Sequence, residues 1–170
     1  MQLNFIANAD VPSASGRTLP VIDPSDGQPY DEIQRSNAAD IDSAVRAARD
    51  CFEGVWHKVS AADRGRLLFK LSQKIAEHVD ELAAIEQRDC GKPVKQARAD
   101  ALALVRYFEF YAGACDKLHG ETIPYQDGYS VFTWREPHGV TGHVIPWNYP
   151  MQIFGRSVGG ALAAGNVCVV

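Results

Sequence analysis

Asn148 is the one carboxamide in a short segment, Pro146-Trp147-Asn148-Tyr149-Pro150, closed by proline at both ends. Proline fixes φ and has no N–H, so the pair holds the residues between them in a stiff turn. Just upstream, Val140-Thr141-Gly142-His143-Val144-Ile145 reads as a strand. Open α/β sheets place ligands beyond the carboxyl ends of their strands. A carboxamide N–H held there can bond an oxygen on which negative charge develops, and losing one such donor costs on the order of 10²–10³ in rate. Asparagine also serves ordinary turns by bonding its own backbone, and turn chemistry by itself favours that commoner use.

No nucleophile or base accompanies Asn148 in an evident way. Cys51 and Cys115 fall in helix patterns, Cys168 lies within an apolar strand-like run, and Cys90 precedes a glycine that should end a helix. An activated thiol needs exposure and an electropositive setting, and none of the four shows one. The cysteines have no CxxC spacing and the five histidines form no HExxH, so a zinc site is not indicated. Gly155, Gly159, Gly160 and Gly165 lack the strand–turn–helix context of a G-x-G-x-x-G or Walker loop; close helix–strand packing is their expected use.

The elements that must position the turn follow from periodicity and caps. The first 35 residues are rich in Pro, Gly, Ser and Asp with short apolar islands, the pattern of short strands or an extended hairpin. Asp40 is expected to cap a helix carrying Ile41, Ala44, Val45, Ala48 and Phe52 and ending at Gly54. Ser60 with Asp63 forms a variant capping box for a second helical stretch, broken near His78 to Asp80 and ended by Gly91. Pro93 then starts a helix whose stripe runs through Ala97, Ala101, Leu104, Val105, Phe108 and Tyr111. Tyr129 to Arg135, β-branched and aromatic, is expected to be a strand, free to pair with another subunit. Val140–Ile145, Met151–Ala163 and Val167–Val170 complete a βαβ unit of a parallel sheet.

Composition fits a folded α/β protein: 46% hydrophobic and 22% charged residues, with a formal net charge of −4. Mixed signs argue against a nucleic-acid surface and read as solvated helix faces. Val158 to Val170, the most apolar segment, is shorter than the ~20 residues of a membrane span. Met1 to Phe5 lacks a basic start and a long apolar run, so the expected location is the cytoplasm. The uncapped apolar end, Val167-Cys168-Val169-Val170, reads as part of a longer protein.

Taken in order, several of these segments resemble the NAD(P)-dependent aldehyde dehydrogenase superfamily. They are Val21-Ile22-Asp23-Pro24-Ser25-Asp26-Gly27, Ala44-Val45-Arg46-Ala47-Ala48, Arg64, and Glu86 with Asp89-Cys90-Gly91-Lys92-Pro93. Tyr107-Phe108 and Tyr111-Ala112-Gly113 follow, then Arg135 to Val140, Pro146 to Pro150, and Ala161 to Asn166. The chain is similar to the amino-terminal third of that family from about Asn4 onward.

The resemblance implies the start of the aldehyde dehydrogenase fold. Residues 1–119 would be strands and helices of the cofactor-binding domain, 120–139 an oligomerisation arm, and 140–170 the first βαβ unit of an incomplete Rossmann-like parallel sheet. The implied reaction turns an aldehyde, NAD or NADP, and water into a carboxylic acid and reduced cofactor. By the resemblance Asn148 holds the oxyanion, while Val144, Ile145, Pro146 and Trp147 pass alongside the cofactor. Tyr149, Gln152, Ile153 and Arg156 line the aldehyde tunnel, and Val21, Ile22 and Asp89 lie near a structural monovalent cation of some members. The partners implied are a small aldehyde and further copies of the chain, as dimer or tetramer. Arg156-Ser157 departs from the tryptophan-lysine pair of many members. The family's cysteine nucleophile and glutamate base match nothing here, so these 170 residues alone are expected to be inactive. An alternative is a non-catalytic truncated relative that pairs with a full-length subunit.

Overall fold

Proline, glycine and aspartate divide the beginning of the chain into two antiparallel hairpins. β1 (Asn4–Ile6) pairs with β2 (Ala9–Val11), and β3 (Thr18–Ile22) pairs with β4 (Pro29–Gln34). The second hairpin turns through Asp23–Gly27, where Gly27 takes a φ of 72° and Asp23 Oδ1 accepts from the Ser25 N–H at 2.9 Å. The computed structural model describes residues 1–170.

Helix α1 spans Ala38–Gly54, and its cap is Asn37 rather than the expected Asp40. Asn37 Oδ1 accepts from the Ala39 N–H at 2.8 Å, and Asp40 Oδ2 accepts from the Asn37 N–H at 2.8 Å. Asp40 therefore sits at the third helical position as the returning half of a capping box. Its carboxylate also accepts from the Ala14 N–H and the Ser13 hydroxyl, tying the segment after β2 to the helix. These bonds, that from Ala14 foremost, hold the carboxyl below its ordinary range.

α2 (Ala61–Glu77) is capped by Ser60, whose Oγ accepts from the Asp63 N–H at 3.1 Å. The expected break falls at His78, where α3 (Val79–Cys90) begins. Gly91 ends α3 in the left-handed region at φ 67°, and a Cβ there would stand 2.9 Å from Pro24 Cγ. α4 (Val94–Ala114) starts directly after Pro93. Its apolar stripe builds the core: Leu104 and Phe108 pack with Leu68, Cys115 and Ala163, while Ala101 and Val105 pack with Val79. Phe108 is fully buried, worth roughly 1.5–3 kcal/mol.

α5 (Pro150–Ala163) crosses α4, and its glycines make that approach possible. A Cβ at Gly155 would lie 2.8 Å from Leu104 Cδ1, and one at Gly159 would lie 2.7 Å from Tyr111 Cδ2. Gly155, Gly159 and Gly160 thus serve helix–helix packing, not the helix–strand packing expected from sequence, while Gly165 turns the chain after α5 at a φ of 93°. The parallel unit is present: β7 (Val140–Gly142) pairs with β8 (Val167–Val169) across α5. β7 is shorter than the expected Val140–Ile145, because after the bond from the His143 N–H to the Val169 carbonyl the chain leaves the ladder.

The strand expected over Tyr129–Arg135 shrinks to β6 (Val131–Phe132), paired with β5 (Thr122–Ile123). Further contact comes from two bonds between Glu121 and Thr133 and one from Arg135 Nε to the His119 carbonyl. Gly120 permits this closeness, since a Cβ there would collide with the Thr133 carbonyl oxygen. The narrow hairpin projects Tyr125, Tyr129, Phe132 and Trp134 as exposed aromatics. No helix is long and apolar enough to cross a membrane.

Candidate active site

β7 delivers the chain to the two-proline turn and α5 carries it away, Pro150 occupying a first-turn helix position where no N–H is needed. His143 fastens strand to helix: one ring nitrogen lies 2.9 Å from Thr141 Oγ1 and the other 2.6 Å from Ser157 Oγ. Between these anchors Asn148 is exposed, and its carboxamide takes part in none of the chain's hydrogen bonds. The self-bonded turn asparagine that sequence left open is therefore not what the fold contains.

Val144 and Trp147 are 97% and 82% exposed, forming an apolar ledge beside Asn148, with Ile145 half-buried and Pro146 exposed. Tyr149, Gln152, Ile153 and Arg156 follow at three- and four-residue steps, which places them along one face of α5. Gln152 and Ile153 are half-buried and Arg156 is exposed.

Behind the turn lies a buried ionic cluster that sequence reading missed. Lys92 Nζ donates to Asp100 Oδ2 at 2.6 Å and to Glu86 Oε1 at 2.8 Å. The other oxygen of Asp100 accepts from Gln96 Nε2 at 2.8 Å and Gln152 Nε2 at 2.7 Å. The Lys92 ammonium also lies 4.2 Å from the centre of the Tyr149 ring, a cation–π contact. Burial pushes the Asp100 carboxyl upward, but the bonds from Lys92, Gln152 and Gln96 outweigh it and hold the group below its ordinary value. Burial acts on Lys92 in the opposite sense and is likewise outweighed, by Asp100 and Glu86, so the amine stays charged. One signal was available: Asp100 falls between Ala97 and Ala101 on the apolar stripe of α4, where a charge must be paired.

Cys90 is the cysteine that reaches the turn, and it does so structurally, its thiol donating to the Trp147 carbonyl at 3.1 Å. Burial, then the nearby Asp89, pushes this thiol up; burial also raises Cys115 and Cys168. Cys51 sits exposed on α1. For the cation position, the fold brings the β3–β4 hairpin to the end of α3. Arg88 Nε bonds Asp23 Oδ2 at 3.2 Å, and the Tyr30 hydroxyl lies 3.5 Å from Asp89 Oδ1. No group of three His, Cys, Asp or Glu side chains is arranged to hold a metal ion.

A parallel β7–α5–β8 unit with the two-proline turn beyond its first strand places the chain in the α/β class. The particular family follows from comparison: residues 11–170 match the aldehyde dehydrogenase family, and the chain belongs to it. It is 45% identical over 162 residues to the mitochondrial aldehyde dehydrogenase family 2 member B4 of Arabidopsis thaliana, covering 94% of this chain and 30% of that protein. A solved structure of a candidate aldehyde dehydrogenase from Burkholderia cenocepacia superposes with a TM-score of 0.97 at 67% identity, over 99% of this chain and 35% of that one. The NAD⁺ complex of aldehyde dehydrogenase from Bacillus cereus superposes at 0.94 and 37% identity, over 99% and 35%. The chain thus spans about a third of the length of the relatives it matches.

The residues present fit a nicotinamide nucleotide. Past Gly142 the backbone groups of Val144 and Ile145 have no hydrogen-bond partner within the chain, and the exposed Val144 and Trp147 offer flat apolar contact.

Proposed function

We propose that the protein carrying this chain oxidises an aldehyde to a carboxylic acid with NAD or NADP, and that Asn148 stabilises the oxyanion. The observation that carries this reading is the unpaired Asn148 carboxamide on a turn clamped at both ends. Its N–H can donate to the substrate oxygen as a thiolate adds to the carbonyl carbon, and a fixed donor needs no reorganisation as charge develops. Val144, Ile145, Pro146 and Trp147 support the cofactor beside it, and the cofactor when bound accepts the hydride. Tyr149, Gln152, Ile153 and Arg156 border the aldehyde's path. A structural monovalent cation near Val21, Ile22 and Asp89 belongs to the same reading, as does the cytoplasm, whose reducing conditions suit four free cysteines.

The thiol is none of the four cysteines here, three of which are raised in pKa by burial. The 170-residue polypeptide by itself is therefore expected to form no NADH from aldehyde; steady turnover by the pure chain would overturn this assignment. The exposed aromatics of the β5–β6 arm support its pairing with another copy in a dimer or tetramer.

In the whole enzyme, Asn148→Ala should lower kcat by about 10²–10³ with little loss of cofactor affinity. An unchanged kcat removes Asn148 from the oxyanion role.

A further inference from the structure

Lys92 is the middle residue of the short link between α3 and α4, and its ammonium is held where three things meet. Glu86 approaches from α3, Asp100 from α4, and the Tyr149 ring from the entry to α5. Glu86 and Asp100 are 3% and 0% exposed. The cluster also leaves Glu86 Oε2 buried without a partner, so the core accepts an imperfect acidic site in order to hold this one cation. Cores do not need such groups for stability, because apolar residues of similar volume often do as well or better. What the charge supplies here is direction. Two carboxylates fix the ammonium, the ammonium fixes the ring of Tyr149, and Asp100 fixes Gln152 one turn into α5.

We propose that Lys92 is a positioning residue for the oxyanion donor. By holding Tyr149 directly and Gln152 through Asp100, it sets the residue on one side of Asn148 and the helix that follows, and so the direction in which the carboxamide points. This rests on the reading of Asn148 given above. Lys92 does not meet the substrate; it faces inward, and its groups are taken by Glu86, Asp100 and Tyr149.

The test is a double-mutant cycle in the full-length enzyme, with Lys92→Met and Asn148→Ala alone and together. Lys92→Met is expected to lower kcat by about 10-fold or more, since small misplacements of a reacting group are costly. The cofactor dissociation constant, read from fluorescence quenching, should move no more than about two-fold. If Lys92 acts through Asn148, the double variant should fall within about three-fold of Asn148→Ala alone, because two residues acting as a unit are not additive. Losses that multiply, or a folded Lys92→Met enzyme with unchanged kcat, overturn the proposal while leaving the role of Asn148 intact. An Asn148→Ala enzyme that keeps its kcat overturns the functional reading itself, and this inference with it. Should Lys92→Met fail to fold, Asp100→Asn, which keeps the side-chain shape and removes one of the two fixing charges, takes its place in the cycle under the same criteria.

Discussion

The Pro146–Pro150 turn has two sides with opposite character. Its outer side exposes Val144, Trp147 and Asn148, and the Asn148 carboxamide makes no hydrogen bond within the chain. Its inner side meets Lys92 and Asp100 through Tyr149 and Gln152, and the Cys90 thiol through the Trp147 carbonyl. The difference teaches how a short loop can carry a reactive donor. Pairing Lys92, Asp100 and Gln152 behind the turn leaves the carboxamide in front free to meet a ligand, and rigidity behind prevents the front group from folding back to bond its own backbone.

The comparison breaks most severely from the inner side. Asp100→Ala removes the acceptor of three hydrogen bonds in a fully buried place. Breaking a buried pair leaves its partner charge poorly compensated, and the loss expected is about 3–5 kcal/mol, toward the lower end because Lys92 keeps Glu86. Urea unfolding of the whole protein measures it; a loss below about 1 kcal/mol would show that the cluster is not a structural anchor. The sign with pH follows from the same site. The folded pKa of Asp100 lies below its ordinary 3.8, so its contribution is complete above that value and fades as pH falls through the lower folded one. Lys92 lies above its ordinary 10.5, so its contribution holds at neutral pH and fades only as pH rises past that. Stability should therefore fall more steeply on the acid side below about pH 4 in the parent than in Asp100→Ala.

Packing gives a smaller break from the same side. At Gly155 an added Cβ would meet Leu104 Cδ1 at 2.8 Å and Tyr107 Cβ at 3.2 Å. Leu104 is itself buried, so it cannot swing away freely. Gly155→Ala should cost about 1–3 kcal/mol by pushing α5 off α4, and a melting temperature at or above the parent's would contradict that packing account.

Much of this was legible in the sequence wherever a local rule decides the outcome. Ser60 capping α2, the break at His78, Gly91 ending α3 and Pro93 preceding α4 each follow from the chemistry of one or two neighbours. The parallel β7–α5–β8 unit follows from its apolar runs and their spacing. Asp40 misled because two acceptors compete for the start of α1, and the earlier one, Asn37, takes the cap while Asp40 returns the bond. The strands came out shorter than their β-rich stretches because a ladder needs a partner, and composition does not say where the partner stops. The ionic cluster was read as ordinary solvated charge. Its link to α5 joins Gln152 to Asp100, 52 residues apart, and a pairing across that distance leaves no local pattern.

The outer side should tolerate change in stability and register it in binding, and Trp147→Ala separates the two. The Trp147 ring is 82% exposed, and only its carbonyl serves the fold, by accepting from the Cys90 thiol. Alanine keeps that carbonyl, so the stability change should stay within about 0.5 kcal/mol, as for other exposed positions. If the ledge supports the cofactor, the loss of a large flat contact should weaken NAD or NADP binding by roughly five-fold, equivalent to about 1 kcal/mol. The kcat at saturating cofactor should be nearly unchanged, because Asn148 and everything behind the turn remain in place. A Trp147→Ala enzyme that loses kcat instead would mean that the ring helps to set the turn, and the division between a fixed inner side and a free outer one would have to be redrawn at this residue.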